Sequence, residues 1–134
     1  MNIEIKGLIA SIGAGLGFMF GDFDTFLKVL LVLVVIDYVT GVMSAYILKE
    51  LSSKIGFQGI LKKVFLLVMV ALATMIDEIL NTQGIARGAI IFFFIATEGL
   101  SILENAVKCG VPVPQWLIDK LKQLKNNNEK EVEK

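Results

Sequence analysis

The chain has 134 residues, of which 55% are hydrophobic and 19% are charged, whereas an ordinary soluble domain is roughly half apolar and a quarter charged. Its 13 basic and 13 acidic residues cancel, which argues against nucleic acid as a partner, because phosphate binding needs a concentrated basic surface. With no histidine and one cysteine, Cys109, the usual zinc sites, an internal disulfide and His-dependent catalytic pairs are excluded. We expect a membrane protein with no enzymatic activity, no cofactor and no bound metal.

Four apolar segments predict membrane-spanning helices. The first, residues 7–21, is short for a span, and residues 26–48 follow after a polar break. As a helix, the second segment extends about 34 Å, enough for a hydrocarbon core of roughly 30 Å. Residues 62–80 and 85–107 are the third and fourth, and the lysine-rich segment Lys49–Lys63 is expected to be a loop. The predicted fold is all-α with four spans, or three if the first segment does not cross.

The last part of the chain, residues 111–134, differs from the apolar transmembrane domain of residues 1–110. Pro114 suits the first turn of a helix, and after it leucines recur at helical spacing with lysines between them. This pattern predicts a short amphipathic interfacial helix followed by a charged, solvated tail. We expect the helix to lie on the membrane or against Lys49–Lys63. Its candidate membrane-interface residues are Trp116, Leu117, Leu121, Leu124, Lys120 and Lys122.

The positions of Lys and Arg predict the orientation of the chain. With four spans, 11 of the 13 basic residues lie on one side, and only Lys28 and Arg87 lie on the other. Because cytoplasmic loops are enriched in Lys and Arg, we expect a multi-pass protein with both termini in the cytoplasm. The alternative with three spans places only the N-terminus outside. Lys28 and Arg87 are expected to reach toward water at the outer interface.

The second predicted helix carries an acid near its middle. Four residues on it follow helical spacing, at i, i+3, i+4 and i+7, and therefore share one face: Asp37, Thr40, Gly41 and Ser44. A carboxylate that faces lipid alone costs at least a few kcal/mol. Asp37 is therefore protonated, packed against other helices, or beside water.

The fourth predicted helix repeats this arrangement, with Glu98, Ser101 and Asn105 on one face. The second and fourth spans run parallel, so Asp37 and Glu98 should lie at similar depth near the middle of the membrane. We expect no basic residue at that depth, and at least one of the two carboxyls protonated. The simpler alternative is that these polar groups only hydrogen-bond the helices together.

The first apolar segment contains glycines at a spacing that favours close helix contact. Gly13, Gly17 and Gly21 form two consecutive G-x-x-x-G steps, which let another helix backbone approach closely. The alternative is that glycine is simply frequent in membrane helices.

Three blocks of the sequence resemble the toxin secretion/phage lysis holin family. They are DYVTG from Asp37, KIGFQGILKK from Lys54, and EGLSILEN from Glu98 with the GVPVP that starts at Gly110. The resemblance implies a small phage or prophage protein that oligomerises in the bacterial cytoplasmic membrane and opens lesions. Through them an endolysin, or in some relatives a large toxin, leaves the cell without obligatory binding to the holin. The family supplies no catalytic residues.

The polar faces and this resemblance together predict a role for each set of residues. Seven residues are candidates for lining or gating the lesion: Asp37, Thr40, Gly41, Ser44, Glu98, Ser101 and Asn105. The three glycines are candidates for helix packing in a homo-oligomer embedded in the lipid bilayer. Two other functions share the same fold, namely a small proton-coupled transporter or channel that uses the acids as a relay, and a membrane adaptor protein.

Overall fold

A computed structural model describes the backbone of residues 1–133 and the side chains of residues 1–127. This part of the chain forms helices and no strand: α1 (Ile3–Phe20), α2 (Thr25–Ile47), α3 (Ser53–Leu80), α4 (Ile85–Lys108) and α5 (Gln115–Glu133). The first four helices are each long and apolar enough to cross a bilayer. The predicted all-α class with four spans and a short C-terminal helix is confirmed.

α3 begins much earlier than the sequence suggested. Ser52 caps its first turn by accepting a hydrogen bond from the Ile55 amide at 3.4 Å, so the segment expected to be a loop is helical from Ser53 onward. Gly56 and Gly59 do not break this helix, and both face Tyr38 of α2. A Cβ atom at either glycine would lie 3.5 to 3.6 Å from the Tyr38 ring or hydroxyl. These distances are ordinary van der Waals contacts, so the two glycines lie inside a helix at its contact with α2 and do not signal a loop.

α4 is the central helix, because it packs against α2, α3 and α5, while α1 contacts α3. The buried apolar core joins α2, α3 and α4 through Leu27, Leu30, Leu66, Val70 and Ile91. The outer faces of α1, α2 and α3 carry many exposed large apolar side chains, and none of the residues of α1 is buried. Apolar surface of this extent is stable only against lipid or another protein.

α5 folds back along α4. Leu121 of α5 contacts α4 at Gly99, where a Cβ atom would lie 3.3 Å from Leu121 Cδ1. The chain reverses between the two helices at Gly110, which has a positive φ of 84°. Of the two expected positions of this helix, contact with Lys49–Lys63 is wrong for the described residues, because α5 packs against α4 alone. Its position on the membrane surface stays a prediction. Its helical backbone continues to Glu133 through the stretch expected to be a charged tail, whose side chains beyond residue 127 lie outside the described residues.

Candidate functional site

The acids of α2 and α4 share one lysine. Lys63 of α3 forms ion pairs with Asp37 and with Glu98, and its Nζ lies 2.5 Å from Glu98 Oε2. Both acids are buried, with 6% of Asp37 and 4% of Glu98 exposed. The expectation that no basic residue lies at their depth is therefore wrong, and neither carboxyl lacks a partner.

The position of Lys63 follows from the buried face of α3. Counted from Lys63, the buried residues Leu66, Val70, Ala73 and Asp77 recur at i+3, i+7, i+10 and i+14. This is one stripe of an α-helix. The sequence contains this stripe, but Gly56 and Gly59 are also typical of a loop, and on that ground the sequence predicts that Lys63 ends a loop. Extending the stripe back by one turn from Leu66 would have found Lys63.

Asn105 ties α4 to α2 beside the ion pairs. Its side-chain amide donates to the Asp37 carbonyl oxygen at 3.2 Å, to Asp37 Oδ1 at 3.1 Å and to the Thr40 hydroxyl at 3.0 Å. Thr40 accepts this bond because its own hydroxyl donates to the Ile36 carbonyl at 2.8 Å. Gly41 lies next to this amide, since a Cβ there would be in ordinary contact with Asn105 Nδ2 at 3.7 Å. We call Asp37, Lys63, Glu98 and Asn105 the ion cluster.

The remaining candidate residues divide into those near the cluster and those elsewhere. Ser101 lies beside Asn105 in the wall of a groove that leads to the cluster. Ser44 is buried, with 4% exposed, on the same face of α2 but without a described hydrogen bond to the cluster. Gly13 and Gly17 are on α1, and the interface residues from Trp116 to Leu124 are on α5. Gly21 follows the end of α1 with a positive φ of 76°, where a Cβ atom would lie 3.0 Å from Arg87 Nε, so the expectation that it continues the glycine face of the helix is wrong.

The cluster contains more acid than base. With all groups ionised, the single charge of Lys63 faces the two charges of Asp37 and Glu98, so one added proton makes the set neutral. Buried ions are stable only while their partners stay in place, because removing one partner leaves an uncompensated charge. The cluster therefore depends on the mutual position of α2, α3 and α4. Among the described residues, no group of His, Cys, Asp and Glu side chains could hold a metal ion.

A groove of about 270 Å³ leads from the surface to the cluster. It opens between α2 and the first turns of α3, and its walls include Tyr38, Val42 and Ile55. The Lys63 side chain, at the inner end of this groove, keeps 20% of its surface exposed. Water can therefore reach one side of the cluster while the acids remain buried.

A second polar layer lies at the other end of the bundle, around Arg87. The guanidinium donates to the Phe20 carbonyl at 2.6 Å, to the Asp22 carbonyl at 2.8 Å and to the Asp24 carboxylate at 2.9 Å. The Arg87 side chain is only 12% exposed, because the turn between α1 and α2 covers it, and its place at the outer interface stays a prediction. Its guanidinium lowers the pKa of Asp24 below the ordinary value for an aspartate.

Asp77 connects α3 to the start of α4 in this same layer. Its carboxylate accepts hydrogen bonds from the amides of Ala86 at 2.9 Å and of Arg87 at 2.7 Å, and from the Thr82 hydroxyl. These amides belong to the first turn of α4, where backbone N–H groups have no partner inside the helix. This cap is not predictable from local sequence patterns, because the capping residue lies on the preceding helix.

The two polar layers are separated by the apolar core. Along α3, the rise from Lys63 to Asp77 is about 21 Å at 1.5 Å per residue, less than the roughly 30 Å hydrocarbon thickness of a bilayer. If the Arg87 layer lies at one membrane boundary, the ion cluster lies about 10 Å inside the other. Lys63 can then extend toward water at that boundary.

The fold and the cluster define a class, the small helical membrane proteins whose spans are joined by ion pairs inside the bilayer. Within it, the chain belongs to the bacteriophage holin family, which residues 14–126 match. It is 37% identical over 117 residues to a probable holin of Bacillus phage phi105, covering 87% of this chain and 86% of that protein.

Other relatives extend across most of the chain. An uncharacterised protein of Listeria innocua is 47% identical over 117 residues, which are 87% of this chain and 84% of that protein. An uncharacterised 14.9 kDa protein of Clostridium perfringens is 45% identical over 123 residues, covering 91% and 93% of the two chains. No solved structure matches significantly.

Proposed function

We propose that this protein is a holin that oligomerises in the bacterial cytoplasmic membrane and forms lesions which release an endolysin or a large toxin. Its similarity to a probable holin and its exposed apolar helix faces support this function. The C-terminus lies in the cytoplasm, on the side that carries most of the basic residues. The protein acts without catalysing a reaction, its partners are lipid and other copies of itself, and its cargo passes without being bound.

The observation that carries the proposal is the ion cluster, which joins three helices through charges inside the membrane. In the closed state the polar faces of α2 and α4 contact each other. When the two helices separate, these faces become the lining of an aqueous lesion. Water then solvates Asp37 and Glu98 and offsets the lost ion pairs, so the helices do not need to refold. The cluster thus gives two states, a closed state held by Lys63 and Asn105 and an open state held by hydration.

The charge balance predicts opposite effects for two substitutions. Lys63→Met leaves the two acids without a cation, which destabilises the closed state and should cause early lysis. Asp37→Asn leaves one lysine facing one acid, which stabilises the closed state, and it also removes a carboxylate that hydration would favour in the open state. This variant should lyse late or not at all.

The test is induced expression in bacteria together with an endolysin that requires a holin for export. Membrane potential and culture density are followed for wild type, Lys63→Met, Asp37→Asn and the neighbouring control Lys62→Met, at equal membrane levels. Wild type should depolarise the membrane abruptly and lyse the culture. Absence of depolarisation and of lysis in wild type would overturn the holin function, while equal timing in all four would overturn only the role of the cluster.

A small proton-coupled transporter or channel remains the second candidate, because the groove gives water access to buried acids and a lysine. In that case, expression should produce a proton or substrate flux in cells that stay viable. Asp37→Asn should abolish this flux without any effect on lysis.

The glycine face of α1 supports self-association. A Cβ atom at Gly13 or at Gly17 would have no other atom within 4 Å, so the space beside both glycines is open. They line an apolar groove of about 360 Å³ together with Leu27, Leu31 and Leu67. A helix of another copy fits such a surface, because glycine lets two helix backbones approach closely.

A further inference from the structure

α5 covers one face of α4 although its own composition is polar. Its apolar side contacts α4. A Cβ atom at Gly99 of α4 would lie only 3.3 Å from Leu121 Cδ1. Asp119, Lys120 and Lys122 of α5 are exposed. α5 is therefore an amphipathic helix that packs against a membrane-spanning one.

The level of this contact puts the charged side of α5 at an unfavourable depth. Gly99 is next to Glu98 of the ion cluster, and its rise along α4 from Arg87 is about 18 Å. With a hydrocarbon core of roughly 30 Å, Gly99 lies about 12 Å inside the far boundary. Charged side chains at such depth cost free energy unless they extend to water or are covered by protein. α5 is thus a poor permanent occupant of this face in a bilayer.

The face itself suits an apolar helix. Leu103 lies one turn from Gly99 along α4, and Gly99 lets a neighbouring backbone approach closely. The spans of this protein are apolar on their exposed faces, so a span from a second copy can fill the site without placing charges in lipid.

We propose that the face of α4 around Gly99 is a contact surface for a transmembrane helix of a second copy, and that α5 of the same chain occupies it before assembly. This rests on the proposed function, in which copies assemble in the membrane. The two occupants exclude each other, because both need the space above Gly99. α5 is tethered and has a fixed effective concentration, so a second copy displaces it only above a threshold density of protein. Released α5 moves to the interface, where its lysines meet water.

Two substitutions separate competition from simple structural support. Leu121→Glu weakens the binding of α5 but leaves α4 unchanged, so oligomers should form at about tenfold lower protein density, as expected when a leucine contact is lost. Gly99→Leu fills the space for both occupants and should reduce oligomers. Gln123→Glu, an equal charge change at an exposed position of α5, is the matched control and should behave as wild type. A decrease in oligomers with Leu121→Glu would overturn the proposal.

A crosslink tests the exclusion directly in the full chain. Cys109 is replaced by serine, Gly99 and Leu121 are replaced by cysteine, and a short thiol-specific crosslinker joins them in membranes. The crosslinked chain should stay monomeric, and a cleavable crosslinker should restore oligomers on reduction. Failure of the two cysteines to crosslink, or oligomers of the crosslinked protein at the wild-type level, would overturn the proposal. Normal assembly without endolysin release would instead overturn the holin function alone, because the oligomer readout does not depend on lysis.

Discussion

Replacing Lys63 with methionine keeps an unbranched side chain that is one atom shorter, but removes the cation that lies between Asp37 and Glu98. Removing one partner of a buried ion pair costs about 3–5 kcal/mol. Two features reduce that value here, since the lysine side chain is 20% exposed and one acid can take up a proton. We expect the free energy of unfolding to fall by about 2–3 kcal/mol, which is roughly a 30- to 150-fold change in the unfolding equilibrium.

The assay is reversible unfolding in mixed micelles by increasing fractions of SDS, followed by far-UV circular dichroism. Lys62→Met is the control, because the Lys62 side chain is exposed and should change stability by less than about 0.5 kcal/mol. Combining Lys63→Met with Asp37→Asn and Glu98→Gln removes all three charges and should recover most of the loss.

Two results would refute this reasoning. One is equal stability of wild type and Lys63→Met, which would mean that the cation contributes nothing to packing. The other is a triple variant no more stable than Lys63→Met alone, which would assign the loss to packing of the side chain and not to uncompensated charge.

Three further predictions concern packing, topology and pH. Gly17→Leu should lower the oligomer population, because a branched side chain blocks the glycine groove of α1, and unchanged crosslinked ladders would contradict this. In a cysteine-free background, cysteines at Ser53 and at Asn2 should both be shielded from an impermeant thiol reagent in intact cells, whereas labelling at position 2 alone would indicate three spans. The pKa of Asp24 is lowered in the folded protein. Its ion pair with Arg87 therefore stabilises the fold above about pH 4, and this stabilisation disappears as the pH falls through the lowered pKa of Asp24. Asp24→Asn should therefore be less sensitive than wild type to acidification below about pH 4, and equal acid sensitivity would refute the link.

The spans and polar faces of α2 and α4 were predictable, because long apolar segments and helical spacing act within one helix. The partners across helices were not. The spacing of Lys63 from Leu66 and Val70 fits the buried face of α3. Its pairing with the two acids is nevertheless not predictable, because glycines in a lysine-rich segment resemble a loop. The capping role of Asp77 depends on a turn that brings α4 back to it. Likewise, the leucines of α5 predict an apolar side, but nothing in their spacing says that it meets Gly99.

Arg87 is held twice, by its own amide bonded to Asp77 and by its guanidinium bonded to the turn between α1 and α2. Four helices therefore converge on one residue at this end of the bundle, and that end behaves as a pivot. The ion cluster lies about 20 Å away along the helices, so a tilt of about 10° at the pivot displaces the cluster end by about 3–4 Å. That displacement exceeds what a hydrogen bond tolerates. A small rotation at a fixed end is thus enough to part the charges at the other.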